Sequence, residues 1–274
     1  MCEQSAVNSL AQDHRALVVR IIHLTEPSDF DSKGVQLFQI DLEAGELAAQ
    51  VQPGQFVHMA LPQGSPHILR RPISVYKRDI FTGIVSLLIQ IMGDGTRCLS
   101  SLETGTHIPV LGPLGRGWNS GNSHSCLLVG GGVGAAPLYL LAEQLAARGA
   151  HVDVVLGAAT ADLLVCEKSY TGLFSSEHVH LATDDGSKGI KGFTTHVVAR
   201  LMQDCTYQYV ATCGPEPMLK AVVLQQPGAI IEVSLERRMA CGIGACLSCT
   251  FDSTQSRLRA CLDGPVFDGR EVCW

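Results

Sequence analysis

At 274 residues, with 46% hydrophobic side chains and 28 glycines, the chain is long enough for two or three packed units and too apolar to be disordered. Its formal charge of −6 and lack of a long Lys/Arg run argue against a nucleic-acid surface. Eleven cysteines, an odd count behind a polar start (Met1 to Asp13) without an apolar signal core, point to reduced thiols, metal ligation and a cytoplasmic setting rather than a disulfide framework.

Residues 14–118 read as a β-rich unit. Strand patterns fall at Ala16–Leu24, Val35–Leu42, Gln55–Leu61, Ile73–Lys77, Ile84–Ile91 and Thr106–Leu111, with turn residues at Pro27-Ser28, Gln52-Pro53-Gly54 and Gly64-Ser65-Pro66. About six strands so spaced predict a small antiparallel barrel. Two polar features interrupt it. Arg70-Arg71-Pro72-Ile73-Ser74 opens a strand with groups able to pair with phosphate. Gly93-Asp94-Gly95-Thr96 precedes a short helical segment, Arg97–Leu102, whose first N–H groups suit a pyrophosphate. Either alone reads as a turn with an exposed arginine; together on one barrel they form a phosphate-binding pattern.

Residues 123–227 alternate strands and helices. Cys126–Val129 is an apolar strand, followed by Gly130-Gly131-Gly132-Val133-Gly134-Ala135 and an amphipathic helix from Leu138 to Arg148. The G-x-G-x-x-A stretch between strand and helix fits the dinucleotide fingerprint, with Gly130, Gly132 and Gly134 as its turn residues; tight strand-to-helix packing is the competing explanation. Strands at Val152–Leu156, Val179–Thr183 and Tyr207–Thr212, and helices at Thr194–Met202 and Pro217–Leu224, predict a parallel sheet with ligands at its carboxyl ends. Ser125 to Ala142 is uncharged over 18 residues, but its glycines and Pro137 argue for strand, turn and helix instead of a membrane span. Asp153 has roughly the spacing of a ribose-gripping acid, about 20 positions on, yet stands at the start of a strand; Thr160 and Asp162 follow that strand with no arginine pocket, which favours NAD over NADP. Thr183-Asp184-Asp185-Gly186-Ser187 reads as a turn and lacks the ligand pattern of an EF-hand. No His falls in a recognisable ligand spacing.

Residues 228–274 carry the most specific pattern. After Pro227-Gly228 and a strand at Ala229–Val233, Cys241, Cys246 and Cys249 form C-x4-C-x2-C, and Cys261 follows after eleven residues. This is the ligand spacing of a plant-type [2Fe–2S] cluster. Zinc is the first competitor but is disfavoured, because only one C-x2-C knuckle exists; buried inert thiols are a further alternative. Gly242 and Gly244 allow the loop to wrap tightly round sulfide. Short strands are expected at Leu247–Asp252 and Leu258–Ala260, and Arg237, Arg238, Arg257 and Arg259 gather positive charge around the thiols.

The order β-barrel, R-P-x-S, G-x-G-T, then Leu111-Gly112-Pro113-Leu114-Gly115 resembles the ferredoxin reductase family of FAD enzymes. The resemblance implies that Arg71, Pro72, Ile73 and Ser74 line the isoalloxazine side of FAD, that Gly95 and Thr96 receive the pyrophosphate, and that Leu88, Ile89 and Gln90 run along the remainder. Many members carry a stacking Tyr where Ile73 stands, so aromatic stacking is not implied here. Cys213, Gly214 and Pro215 match the C-G-P motif that borders the nicotinamide, and Cys213 is expected to pack, since no paired His is evident. Leu235 to Cys246, together with Cys261-Leu262-Asp263-Gly264-Pro265-Val266-Phe267-Asp268 and the terminal Trp274, closely resembles the electron transfer subunits of type B dihydroorotate dehydrogenases.

That family implies an α+β multidomain chain: an antiparallel FAD barrel, a parallel α/β NAD unit and a small [2Fe–2S] domain. It also implies an FMN-containing catalytic subunit that oxidises dihydroorotate, a heterotetramer, and transfer between FMN, cluster, FAD and NAD in pyrimidine biosynthesis. Flavin exchanges a hydride's two electrons and passes them singly, whereas the cluster exchanges one at a time. No residue of this chain is expected to act as catalytic acid or base on dihydroorotate. Two other readings stay open: a reductase subunit serving a hydrogenase, sulfur reductase or oxygenase, and a zinc-stabilised interaction module.

Overall fold

The structure is a computed structural model that describes residues 11–25, 34–225 and 228–274. The expected turn at Pro27-Ser28, residue Pro227 and Cys2 lie outside the described residues.

Six strands close a barrel in the order β1-β2-β5-β4-β3-β6. They are β1 (Gln12–His23), β2 (Leu37–Glu43), β3 (Phe56–Met59), β4 (Arg71–Asp79), β5 (Ile84–Gln90) and β6 (His107–Leu114). Inward side chains such as Phe38, Ile40, Val57, Leu87, Ile89 and Val110 fill the interior. Closure satisfies the strand edges that an open sheet would expose. β1 begins earlier than its apolar run suggests, because Gln12 to Ala16 pair with the end of β6. A helix absent from the sequence reading, α1 (Gly45–Gln50), plugs one end with the fully buried Leu47 and Ala48. Its six residues are too few for helical periodicity to show. The other short helix, α2 (Asp94–Ser100), starts three residues before the expected segment.

The second unit is a seven-stranded sheet in the order β10-β9-β8-β7-β11-β12-β15. Its strands are β7 (Ser125–Gly131), β8 (His151–Ala158), β9 (Val179–Thr183), β10 (Ile190–Lys191), β11 (Tyr209–Cys213), β12 (Ile230–Ser234) and β15 (Val266–Asp268). All pairings are parallel except β12 with β15. The chain winds outward from β7 through β8 and β9, then returns to place β11 on the other side of β7. The crevice at the carboxyl ends of β7 and β11 is therefore the topological switch point. β12 and β15, both from the final 47-residue stretch 228–274, hydrogen-bond into this sheet.

The helix after the glycine turn differs from expectation. A 3-10 segment (Gly132–Leu138) leads into α3 (Tyr139–Ala147), which follows Pro137. α3 is not simply amphipathic. Leu141 and Leu145 join the sheet's core, while Leu140 joins the barrel's core. The helix is sandwiched between the two units and is apolar on both sides for that reason. Leu140→Ala should therefore destabilise the chain by about 2–5 kcal/mol, through the cavity left in a well-packed site. Denaturant unfolding followed by fluorescence and circular dichroism checks this. The remaining helices are α4 (Glu167–Thr171), α5 (Thr194–Asp204) and α6 (Glu216–Gln225). No helix among the described residues is long and apolar enough to cross a membrane.

Between β12 and β15 the chain leaves the sheet to form the cysteine loop and a hairpin of β13 (Thr250–Asp252) and β14 (Arg257–Arg259). The expected strand from Leu247 starts only at Thr250, because Leu247 itself adopts a positive φ of 60° inside the cysteine loop. The loop packs on the barrel: Cys249, Ala260 and Cys261 share a core with Phe56 and Leu114. The Leu235 N–H donates to the Pro265 carbonyl at 2.9 Å, closing the base of this excursion.

Candidate redox site

β4 pairs with β3 so that Pro72 faces His58, Ile73 faces Val57 and Ser74 faces Phe56. A crevice of about 300 Å³ opens beside this strand, lined by Pro72, Ile73, Ser74, Leu88, Gln90 and Thr96 among others. Ile89 touches the crevice too, but its side chain belongs to the barrel core, so β5 alternation leaves mainly its backbone edge to a ligand. The Arg71 guanidinium lies against Gly95: a Cβ there would meet Arg71 Nε at 2.1 Å. Arg71 also donates to the Leu69 carbonyl at 2.6 Å, which fixes the guanidinium beside Gly95, next to the crevice residue Thr96. The Thr96 hydroxyl is engaged within its own turn, accepting from the Met92 N–H at 2.9 Å and donating to the Gly93 carbonyl at 3.0 Å. A cationic fork, backbone unobstructed by a Cβ and apolar walls fit a flavin with its phosphates.

A second cleft of about 830 Å³ occupies the switch point. Gly131, Gly132, Gly134, Gly214 and Pro215 line it. The two loops are pressed together: a Cβ on Gly134 would meet the Cys213 carbonyl oxygen at 2.6 Å, and one on Gly214 would meet the Gly131 Cα at 3.0 Å. Gly214 also has a φ of +150°. Close backbone approach requires glycine at 134 and 214, and a positive φ of 57° favours it at 132, which leaves an open cradle for a dinucleotide. Gly130 serves packing instead, since its Cβ would lie 2.7 Å from the Ala135 Cα. Cys213 is buried behind the cleft, and burial pushes its thiol well above the ordinary range, so it is neutral and unreactive. Thr194 was not legible as a site residue. It lines the cleft with its hydroxyl buried and without a hydrogen-bond partner, a donor available to a ligand.

Asp153 does not reach this cleft. Burial disfavours its charge, but hydrogen bonds from His180, His178 and Tyr207 outweigh that and hold the carboxyl well below the usual range. The Asp184–Ser187 segment is a turn, with the Asp185 carboxylate accepting from the Ser187 N–H at 2.9 Å.

The four cysteines of the loop converge. Cys249 and Cys261 Sγ atoms lie 3.3 Å apart, the Gly244 N–H donates to Cys261 Sγ at 3.1 Å, and the Cys246 N–H points to Cys241 Sγ at 3.4 Å. Gly242 and Gly244 have φ of +73° and +80°, and a Cβ on Gly242 would meet His58 Nδ1 at 2.6 Å. Backbone N–H groups aimed at sulfur, four thiols and a positive-φ loop fit a [2Fe–2S] cluster as donor set and as shape. The thiols differ in environment. Hydrogen bonding from Ser248 lowers exposed Cys246 to about 6, whereas burial and then Cys249 push Cys261 up to about 12. In protein prepared without iron, alkylation at neutral pH should therefore mark Cys246 first and leave Cys213 unmodified, as peptide mass spectrometry would show. The arginines near the loop are largely matched: Arg237 with Glu216 at 2.8 Å, Arg257 with Asp252 at 2.9 Å and Arg259 with Asp263 at 3.1 Å. The expected positive patch is thereby reduced.

The three sites are continuous. Gln90, Val133, Leu235, Glu236 and Arg237 line both clefts, and the same segment runs on to Cys241.

Comparison with known proteins agrees with this geometry. Residues 24–118 match the oxidoreductase FAD-binding domain, 128–223 the oxidoreductase NAD-binding domain, and 236–273 the iron-sulfur cluster binding domain of dihydroorotate dehydrogenase B. The chain is 39% identical over 260 residues, 93% of its length and 97% of the relative's, to the dihydroorotate dehydrogenase B (NAD(+)) electron transfer subunit of Listeria monocytogenes serotype 4a. It is 39% identical over 236 residues, 84% and 90% of the two lengths, to the subunit of that name from Geobacillus thermodenitrificans. Among solved structures, an NADH-dependent reduced ferredoxin-NADP oxidoreductase studied for flavin-based electron bifurcation superposes with a TM-score of 0.81 at 30% identity, covering 95% of this chain and 90% of that one. The barrel, the switch-point sheet and the cysteine loop thus recur as one set, and the chain belongs to the family of electron transfer subunits of dihydroorotate dehydrogenase B.

Proposed function

We propose that the chain carries electrons between an FMN-containing, dihydroorotate-oxidising catalytic subunit and NAD, through a [2Fe–2S] cluster and FAD, in the cytoplasm and within a heterotetramer of two catalytic and two electron transfer subunits. The observation that carries this reading is the continuity of the three sites along Leu235 to Cys241. In the proposed division, 14–118 holds FAD, 123–227 holds NAD and 228–274 holds the cluster. FAD, when bound, supplies the conversion between a hydride's paired electrons and single-electron transfer.

The chain's own residues bind, orient and exclude water. Arg71 and the backbone at Gly95 and Thr96 take the flavin's phosphates, while Pro72, Ile73, Ser74, Leu88, Ile89 and Gln90 wall its ring system. Gly132, Gly134, Gly214 and Pro215 shape the nicotinamide end of the second cleft, with Gly130 and Cys213 packed behind them. Cys241, Cys246, Cys249 and Cys261 ligate iron. NAD is favoured over NADP because Arg237, the cationic side chain among the described residues lining the cleft, is paired with Glu216. Asp184 adds negative charge beyond the end of β9, where a further phosphate would be repelled.

The test is an anaerobic visible spectrum of the isolated chain before and after NADH, followed by mixing with a catalytic subunit and dihydroorotate. Flavin and iron–sulfur bands that bleach with NADH, and NAD reduction that needs dihydroorotate and both subunits, are expected. A loaded chain that bleaches but supports no dihydroorotate-linked NAD reduction would assign it to another acceptor.

A further inference from the structure

Three histidines with no recognisable ligand spacing in the sequence gather round one carboxylate at the amino-terminal end of the sheet, at the opposite strand ends from the nucleotide cleft. His151 and Asp153 stand on β8, His178 in the 3-10 turn before β9, and His180 on β9 itself. His151 Nε2 is 3.2 Å from Asp153 Oδ2, and His178 Nδ1 is 2.9 Å from Oδ1. His180 Nε2 is 3.3 Å from Oδ1, and Tyr207 donates its hydroxyl to Oδ2 at 2.7 Å. One nitrogen from His151, one from His178 and one Asp153 oxygen lie within 4.8 Å of one another.

We propose that His151, Asp153 and His178 form a site for a divalent transition-metal ion of the zinc type. Ligands bound at about 2.0–2.1 Å round a tetrahedral centre stand roughly 3.3–3.4 Å apart. The two imidazoles reach different oxygens of the carboxylate, His151 Nε2 at 3.2 Å from Oδ2 and His178 Nδ1 at 2.9 Å from Oδ1, so an ion between the rings is held once the carboxylate turns one oxygen, or both, toward it. Two imidazoles and a carboxylate match the preference of zinc for nitrogen with one oxygen ligand, and leave a fourth position for water. Access is open, because the side chains of His151 and His178 are 48% and 35% exposed. The carboxylate has two further partners: His180 Nε2 shares Oδ1 with His178, and the Tyr207 hydroxyl shares Oδ2 with His151, as outer hydrogen bonds commonly orient a metal ligand. A simple hydrogen-bonded carboxylate cluster would show the same contacts without metal, so the discriminating property is metal uptake. Bound zinc would clip the start of β8 to the turn before β9, a staple of the nucleotide unit distant from the redox path.

The experiment uses the cluster- and FAD-loaded protein, with exposed thiols alkylated first, and zinc ion alone as the probe. Zinc and iron are counted by elemental analysis after gel filtration, and affinity is measured against a chromogenic chelator. The expected result is one added zinc per chain with iron unchanged, and an affinity at least about tenfold weaker in His151→Gln and in His178→Gln. Both side chains are partly exposed and lie outside the redox machinery, so both variants should keep full flavin bleaching by NADH, which reports that they are folded. Failure of the loaded protein to take up zinc would overturn the site, as would equal zinc affinity in both folded variants or uptake that displaces iron. The relay itself would survive each of those outcomes.

Discussion

Replacing Cys261 with serine is expected to strip the iron from the purified chain while leaving FAD in place. The Cys261 side chain is fully buried, receives the Gly244 N–H and lies 3.3 Å from Cys249 Sγ. Serine keeps the volume but offers a hard, high-pKa oxygen where iron is held by thiolate. Cys261 is not among the residues lining the flavin crevice, whose Pro72, Ser74, Leu88, Gln90 and Thr96 lie on β4, β5 and α2, and it adjoins that crevice through the core it shares with Phe56. NADH should therefore still bleach the flavin, while electron exchange with the catalytic subunit falls to background, because the one-electron carrier between them is gone. Iron analysis, the visible spectrum and the coupled dihydroorotate assay separate these three readouts. Cys246→Ser provides the control for folding: this side chain is exposed, lies outside the buried core, and should lose iron equally. Normal iron content in both variants would remove these cysteines as ligands.

The second large effect concerns Arg71. A hydrogen bond to a charged partner contributes about 1.5–3 kcal/mol, so Arg71→Ala should weaken FAD binding by roughly one to two orders of magnitude. Gly95→Ala offers an independent route to the same result. A Cβ at that position would sit 2.1 Å from Arg71 Nε, and the guanidinium would have to leave its place. If Arg71 held only the Leu69 carbonyl and no flavin phosphate, both variants would lose a little stability and no FAD. Fluorescence release of FAD on dilution, with circular dichroism as the fold control, distinguishes the cases. Iron content should remain near that of the parent, since Arg71 is not among the iron ligands.

Much of this protein is written in local patterns. The C-x4-C-x2-C loop and its partner twelve residues on, the glycine turn after an apolar strand, and the alternating runs of the barrel depend on short spacings, and such spacing survives in a linear reading. The family resemblance rests on the same stretches. Elements that arise from distant pairing were not legible. β15 becomes a strand because Val266 to Asp268 meet the edge of β12, and α1 is stabilised by burying Leu47 in the barrel end. α3 looked amphipathic because its barrel-facing Leu140 could not be assigned a partner from sequence. Asp153 had the spacing of a ribose ligand, yet strand direction carries it to the other end of the sheet, beside histidines up to 27 positions away. Sequence alone determined which chemistries the chain can hold, because cofactor motifs are short and local. Tertiary structure alone decided that the clefts share the wall leading to the cysteine loop, and that His151 and His178 meet, because contacts between distant segments depend on how sheets and barrels close rather than on neighbours in the chain.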